Sequence, residues 1–495
     1  MRVRLTLCLL AWVLDCSGLR GGEQPRVTLE EAIHQALAKN YSITVEALEP
    51  QIRSAYVTAE RGRFDPVFEL RYFSSEDGDL LPTDPFIGTR PAASLLTADS
   101  YELGFVGLTP WGMSYELGAR SQNVRGTFNQ FTDRYSTFGG ITLTQPLLRN
   151  FGAGANLYRL RIAQLDQSRS TWDYRQSAIN LVTAVVLRYN DLLLSRRLVE
   201  TAVRSRDLAA ELVSENERRF RVGSMSDYDV TLARSRAAQR EEAILLARQN
   251  AEEVELRLKQ LITNERSLQL LQSGPLILEE LPPAAEIEID AARDFQFAIN
   301  HRPDYQAALL LSKRAELDRK LSSNQRLPRL DLVASLGYSG LDERFDESRR
   351  QVEDRENRSY RAGVVVGIPL TFAQERGRLR AARLHALQAR YQVEAVEQSI
   401  LVEVGNASRN VRVTRDRVAA TRTARELAQK TLEAELKRLR TATGNGSTYF
   451  VLELQQSLAQ IEVREFQALC DARKAVAEHQ RVLGRTLEIY RVVIE

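Results

Sequence analysis

The chain has 495 residues, 27% of them charged, with 68 basic against 65 acidic side chains and a formal net charge of +3. That balance excludes the concentrated basic face a nucleic-acid partner needs, and it suits long helices with solvated, two-signed surfaces. Cys8, Cys16 and Cys470, with His34, His301, His385 and His479, are too few and too scattered for a disulfide framework, a zinc site or a histidine-based metal site.

Residues 1–18 read as a secretory signal. Arg2 and Arg4 form its basic start, Leu5 to Leu14 its apolar run, and Cys16-Ser17-Gly18 a small-residue cleavage site. Lipoprotein processing at Cys16 is the alternative, which Asp15 fits poorly. The run is too short to cross a bilayer, and no other segment reads as a transmembrane helix. A membrane-spanning part must therefore be built from strands.

Residues 27–63 read as helix, opened by a capping box between Thr28 and Glu31 and stopped at Phe64-Asp65-Pro66. Four segments with period-two alternation follow, at about 66–74, 101–109, 113–121 and 137–147. Phe68, Leu70 and Tyr72 oppose Glu69 and Arg71. Tyr101, Leu103 and Phe105 oppose Glu102 and Gly104. Met113, Tyr115, Leu117 and Ala119 oppose Glu116, Gly118 and Arg120, and Ile141 and Leu143 oppose Gly140 and Thr142. The linking segments run long (about 75–99), short (Thr109-Pro110-Trp111-Gly112) and long again (about 122–136). Strands with one apolar face, joined by alternating long and short loops, have the signature of an outer-membrane barrel.

From residue 153 to 273 the pattern turns helical, with no proline between Pro146 and Pro275. Leu181, Val185, Tyr189, Leu192, Val199 and Val203 recur at helical steps. An arm from about 153 to 221 would reach on the order of 100 Å. Gly223 alone interrupts it, behind Arg218, Arg219 and Arg221, which complement a helix C-terminus; Ser226 or Asp227 can cap the return arm. Residues 274–290 are a proline-rich, acidic linker. The second half, 291–495, repeats the first: a helix to Arg302-Pro303-Asp304, strands at about 329–338 and 360–369 around a charged loop (about 340–359), and a helical hairpin over 373–487 turning at Gly444-Asn445-Gly446. Pro328 follows Pro66 by 262 positions (328 − 66), but Gly444 follows Gly223 by only 221 (444 − 223). The first half thus carries extra material between its prolines, and the Pro110-Trp111-Gly112 hairpin lies within it. Duplication of this kind fixes architecture better than any single motif.

No enzymatic constellation stands out. Gly152-Ala153-Gly154 lacks the Gly-Lys-Ser/Thr of a phosphate loop and reads as a strand-to-helix joint, and the His-Glu-x-x-His and Gly-x-Ser-x-Gly patterns are absent. No cofactor is implied.

Over nearly all its mature length the chain resembles the TolC-type outer-membrane efflux proteins. The resemblance rests on Leu29-Glu30-Glu31-Ala32 through Ala36-Leu37 to Asn40; on Gln145-Pro146-Leu147; on Arg219-Phe220-Arg221-Val222-Gly223 with Asp229-Val230; and on their second-half counterparts. It implies an α+β membrane protein: a homotrimer whose strands close one transmembrane β-barrel and whose hairpins form a periplasmic α-barrel. It also implies an outer-membrane exit duct for efflux or type I secretion, with a periplasmic adaptor and an inner-membrane pump or ABC transporter as partners, besides outer-membrane lipid. A constricting tip would draw on Asp227, Asp229, Phe450, Glu453, Arg219, Arg221 and Arg440. Adaptor docking would use Val222, Gly223, Ser224, Met225, Ser226, Gly444 and Gly446. The family has aspartates where this chain has Phe450 and Glu453, so the constriction is expected to be less acidic or partly apolar. The extra hairpin, residues 101–120, is expected to join the barrel and give six strands per chain. The alternative reading is a soluble periplasmic coiled-coil scaffold or adaptor.

Overall fold

The computed structural model describes residues 27–80, 93–223, 226–264, 274–282, 284, 287–440 and 448–493. The signal segment with Cys8 and Cys16 lies outside them, as do Ser224, Met225, Gly444 and Gly446.

The N-terminal helix is two helices, α1 (Leu29–Lys39) and α2 (Tyr41–Gly62). The capping box forms: the Thr28 amide donates to Glu31 and the Glu31 amide to Thr28 Oγ1, each at 3.1 Å. The continuous helix expected over 27–63 breaks at Asn40, because its Oδ1 takes the Ser42 amide at 2.9 Å and caps a new helix.

Six strands follow the chain: β1 (Val67–Leu80), β2 (Ala93–Leu108), β3 (Ser114–Gly126), β4 (Tyr135–Pro146), β5 (Arg329–Asp342) and β6 (Asn357–Gly367). They form one antiparallel sheet in sequence order, with β1 and β6 at its edges. The extra hairpin, β2 and β3, holds the second and third places in it. Several strands outrun the alternation that marks them: β1 continues to Leu80 and β2 begins at Ala93, inside the expected 75–99 loop. The physical reason is that alternation reports the apolar environment of one face, whereas pairing continues wherever backbone groups satisfy each other.

Between β4 and the first long arm lies the joint at Gly152, whose φ of +86° opens the short helix α3 (Ala153–Asn156). Asn156 Nδ2 fastens this corner by donating to the Asn150 carbonyl at 2.7 Å and the Gly152 carbonyl at 3.0 Å. The long helices are α4 (Tyr158–Arg221) and α5 (Asp227–Ile262), then α9 (Ala373–Arg440) and α10 (Thr448–Leu483). Between the hairpins stand α6 (Ala291–His301) and α7 (Pro303–Gln325), and α8 (Phe345–Glu353) lies between β5 and β6. Helix α8 corrects the expected charged loop over 340–359: Phe345, Ser348 and Val352 at helical spacing form a helix there. The second return arm stops at Leu483, short of the expected 487. Gly484 takes φ +73°, the Arg485 amide reaches back to the Gln480 carbonyl at 2.9 Å, and one short turn, α11 (Thr486–Ile489), follows.

By its internal contacts the chain divides into two units. The first comprises residues up to Ala36, Val185–Ala284 and Thr421–Cys470. Its core centres on Tyr189, which has no exposed surface; its hydroxyl lies 2.9 Å from both the Val27 and Glu279 carbonyls, which share its one proton, and accepts the Glu279 amide at 3.0 Å. Burial pushes its phenol up to about 12. Val27 and Leu278 pair as an isolated parallel bridge beside it, so the linker is tied to the start of the described chain. A second knot holds the linker to α5. Glu255 takes Lys259 at 2.9 Å, Arg196 at 3.0 Å and the Leu276 amide at 3.0 Å, while Lys259 also donates to the Gly274 carbonyl at 3.0 Å.

The second unit comprises Leu37–Ala184, Ala285–Ala420 and Asp471–Glu495. Besides the sheet it holds a core of Ala298, Ile400, Val404, Ala407, Val482 and Leu483, packed by Phe295, Phe297 and Tyr305. Arg302, in the α6–α7 joint, is buried and satisfied by Asp304 (2.6 Å), Glu403 (2.7 Å) and the Val482 carbonyl (3.3 Å). A buried guanidinium persists only with such complete pairing.

Candidate functional site

Two surfaces bear on function: the two faces of the sheet, and the first hairpin tip. Directly paired strand residues share a face, so register assigns the faces. Phe68, Phe105, Leu117, Ile141, Leu336 and Tyr360 form one unbroken cross-strand row. All but Ile141 of these are exposed in the single chain. Every apolar alternation set read from the sequence falls on this side, β1 through β6. Exposure of so many large apolar side chains marks a face that another apolar phase or protein must cover.

The opposite face is polar. Glu69, Arg71, Glu102, Glu116, Arg120 and Thr142 share it, with Arg71 3.4 Å from Glu102 and the Arg120 guanidinium 5.2 Å over the Phe138 ring. Gly104, Gly118, Gly140 and Gly337 stand in one cross-strand row on this side. A Cβ on Gly104 would come within 2.7 Å of the Leu117 carbonyl oxygen, and one on Gly140 within 2.7 Å of the Gly337 Cα. The row is a crease that only glycine permits, the device by which sheets acquire the coiling that closure needs.

At the first tip, α4 ends on Arg218, Arg219 and Arg221, and Gly223 turns at φ +74° with its amide on the Phe220 carbonyl at 2.9 Å. Val222 is 78% exposed. Asp227 is exposed at the first position of α5, behind Ser226. Arg218 and Arg219 reach one turn back to Glu215, at 2.9 and 2.8 Å. The hydrogen bond from Arg219 holds the Glu215 carboxyl below its ordinary range. Arg221 Nε donates to the Glu217 carbonyl at 3.4 Å. Near this tip Arg234 on α5 is joined to Glu217 on α4 at 2.8 Å, and farther along the same two arms Arg206 lies 3.5 Å from Glu241. Sequence reading missed the Arg234–Glu217 link; its signal is an oppositely charged pair flanking Gly223, six positions before it (223 − 217) and eleven after it (234 − 223).

At the second tip, Phe450 is exposed on the first turn of α10. Glu453 is exposed and lines a cavity of about 520 Å³ with Arg236 and Arg240 of α5 and Leu208 and Leu212 of α4. The side chains of Asp229 and Arg440 lie outside the described part. Among the described residues no group of three or more His, Cys, Asp or Glu stands ready to hold a metal. Among the described residues one helix, α4, contains a stretch apolar enough to cross a membrane, but 61% of that stretch is buried within the fold, as in a core helix.

A sheet apolar on one face and polar on the other, carried by a chain of duplicated long hairpins, is the make-up of an outer-membrane channel subunit. The profile of the outer membrane efflux protein family matches residues 112–264 and 295–485, and the chain belongs to that family. It is therefore an outer-membrane duct protein reaching into the periplasm, not an enzyme and not a soluble scaffold. It is 25% identical over 196 residues to the alkaline protease secretion protein AprF of Pseudomonas aeruginosa, a match spanning 39% of this chain and 40% of that protein. The chain thus matches less than half the length of this relative. Its fold is similar to the Campylobacter jejuni CmeC outer membrane channel (TM-score 0.68, 14% identity, 92% of this chain and 86% of that one). It is also similar to the open state of the Neisseria gonorrhoeae MtrE outer membrane channel (TM-score 0.61, 16% identity, 93% and 89%).

Proposed function

We propose that three copies of this chain form one continuous exit duct, through which cargo supplied by an inner-membrane pump passes passively from the periplasm to the outside. The observation that carries the reading is the sheet. It has six strands, two open edges and an apolar outer face. Open edges are not tolerated in lipid, and six strands are too few for a roomy pore. Three copies would supply eighteen strands (three times six), the number at which porin barrels leave an aqueous channel. The polar face with Glu69, Arg71 and Arg120 would then line water, and the Phe68–Tyr360 row would meet lipid.

Exposed apolar stripes on the helices favour the same assembly. On α2 they are Tyr41, Val45, Leu48, Ile52 and Tyr56; on α9, Leu384, Leu387 and Tyr391. Spacings of three and four put each set on one helix face, a seam awaiting another helix. The partners in this reading are a periplasmic adaptor, docked on the turn from Val222 to Ser226 and on Gly444 and Gly446, and an inner-membrane pump or ABC transporter. The likeness to a protease secretion protein favours type I secretion of a polypeptide; drug-type efflux is the second outcome. Asp227, Asp229, Glu453 and Phe450, with Arg219, Arg221 and Arg440, form the resting constriction.

The test is single-channel conductance of the purified trimer in planar bilayers. Asp229→Ala combined with Glu453→Ala should raise resting conductance and weaken block by trivalent cations added from the tip side. Wild-type values for both would remove these acids from the constriction and leave Phe450 as its candidate.

A further inference from the structure

The apolar face of the sheet does not end in the same way on every strand. On β1 and β2 its last aromatic row is the pair Tyr72 and Tyr101, with ring centroids 4.9 Å apart. The same row continues as Ser121 on β3, Thr137 on β4 and Gly340 on β5. On those three strands the bulky interfacial side chains are replaced by a seat, and α8 occupies it. Ser348 is fully buried and donates to Thr137 Oγ1 at 2.9 Å, while Thr137 and Ser121 share a hydrogen bond of 2.9 Å. A side-chain carbon on Gly340 would collide with the Ser348 carbonyl, and one on Gly139 would come within 2.9 Å of Val352. Gln351 accepts the Leu341 amide at 2.9 Å, and the Phe345 ring stands edge-on to Tyr135 at 5.8 Å. Helix α8 is therefore fixed on the apolar side of the sheet, at the end reached by the β5–β6 connection.

The surface it turns outward is charged and two-signed. The Arg349 and Arg350 side chains are 52% and 60% exposed, interleaved with Glu347 and Glu353. The belt continues to either side of α8 on the same face. Arg358 of β6 pairs in register with Tyr338, and on β2 and β3 Asp99 meets Arg125 at 3.1 Å. A ring of mixed charge thus borders the apolar band directly. Exposed ion pairs within such a helix are individually weak, so their members can exchange partners.

We infer that α8 and its flanking charges form a seat for the phosphorylated glycolipid headgroups of the outer leaflet. The inference rests on the reading of the sheet as a lipid-facing barrel wall. Continuity carries it: a surface that begins where the lipid-facing rows stop, on the side facing lipid, meets headgroups. Charge complementarity sharpens it. Phosphates held together by divalent cations are a two-signed layer; guanidinium groups take the phosphates, and carboxylates take the cations.

The experiment uses the full-length channel purified from outer membranes, with bound lipid quantified by mass spectrometry. Thermal dissociation of the assembly is followed in micelles containing either bis-phosphorylated or dephosphorylated outer-leaflet lipid, with magnesium or with chelator. Wild type should retain phosphorylated glycolipid and dissociate at a higher temperature with it than with the dephosphorylated form, and chelator should shrink the difference. Arg349→Glu with Arg350→Glu, which leaves the Ser348 and Gly340 seat intact, should lower retention about ten-fold, the change that ~1.4 kcal/mol makes. Gly340→Val, which unseats α8, should do the same; if it fails to assemble, the arginine variant decides. A conducting, membrane-inserted channel with equal retention in wild type and variant, or with no preference for the phosphorylated lipid, overturns the headgroup seat and leaves the barrel standing. A protein that inserts in no membrane overturns the barrel reading itself. Binding of a periplasmic or extracellular protein in place of lipid also overturns the seat.

Discussion

The two long hairpins are copies of one plan, and they bury their first arms differently. Their return arms, α5 and α10, are 36 residues each and start 221 positions apart (448 − 227). The first arms differ. In α4 the run from Ala178 to Leu193 is largely core, with Ala178, Val182, Val185, Tyr189 and Leu192 at or near zero exposure. In α9 the buried residues, among them Ile400, Val404 and Val411, form a narrow seam, while Leu384, Leu387, Tyr391, Val402, Val413 and Leu427 are exposed. One plan used twice thus yields an arm that is a core of its own protomer and an arm with a second apolar face to spare. The difference is what the proposed symmetric assembly would need, since the spare face of each chain is the one a neighbour would cover.

The contrast can be broken first on the α4 side, where the largest effect is expected. Tyr189→Ala should destabilise the protomer by about 3–5 kcal/mol, as large aromatic truncations in cores do, and release the linker from Val27 and Glu279. Tyr189→Phe should lose only about 1 kcal/mol, one hydrogen-bonding group's net contribution. Chemical denaturation followed by circular dichroism checks both, and equal losses for the two would show that the ring packs less than its burial indicates. On the α9 side the effect should fall on assembly. Leu387→Asp with Tyr391→Asp should leave helix content unchanged and abolish trimer crosslinking in detergent. A variant that still crosslinks as a trimer would remove this face from the seam.

How much of this was legible beforehand differs by level. Strand faces were readable because alternation and pairing share period two, and the sheet keeps one register from Phe68 to Tyr360. The equal return arms were readable because Gly223 and Gly444 punctuate otherwise uninterrupted helical patterns. Helix α8 was hidden: Phe345, Ser348 and Val352 give a one-sided pattern over only nine residues, and its seat consists of glycines and hydroxyls from three strands, β3, β4 and β5. The break at Asn40 was hidden for a related reason, since the helical period runs through it and only the cap side chain marks it. At the tips the residue types were legible and the partners were not. Arginine before Gly223 predicts a helix end; that Arg218 and Arg219 share Glu215 depends on rotamers that spacing does not fix.

The linker knot gives a pH test confined to the first repeat. Burial raises the Glu255 carboxyl, and hydrogen bonds from Lys259, the Leu276 amide and Arg196 outweigh it, so its pKa lies below the ordinary glutamate value. A carboxylate with a depressed folded pKa adds stability above its unfolded pKa and loses it as pH falls through the folded one. The contribution should therefore be complete at neutral pH and vanish on acidification below the usual glutamate range. Glu255→Gln should flatten the acid limb of the stability profile and lower stability at neutral pH. An unchanged acid limb would assign acid lability to other carboxylates.

The smallest expected effect lies at the first tip, and it separates holding from gating. Arg234 and Glu217 form a 2.8 Å link between the arms of the first hairpin near its tip, and their side chains are 65% and 37% exposed. An exposed pair of this kind contributes about 0–1 kcal/mol, so a double-mutant cycle through Arg234→Ala and Glu217→Ala should report a coupling in that range by denaturation. The effect on opening need not be so small. In the proposed trimer symmetry would repeat the pair in every protomer, and an opening that separates the arms would break all copies together, multiplying any bias on the closed state. Resting conductance should then rise in either single variant and no further in the double, because breaking the link once is enough. Conductance that rises additively would mean each charge acts through a different partner, Arg234 and Glu217 being neighbours in space without being partners in the gate. Conductance unchanged in all three would make the link a brace that keeps α4 and α5 together whatever the state of the channel.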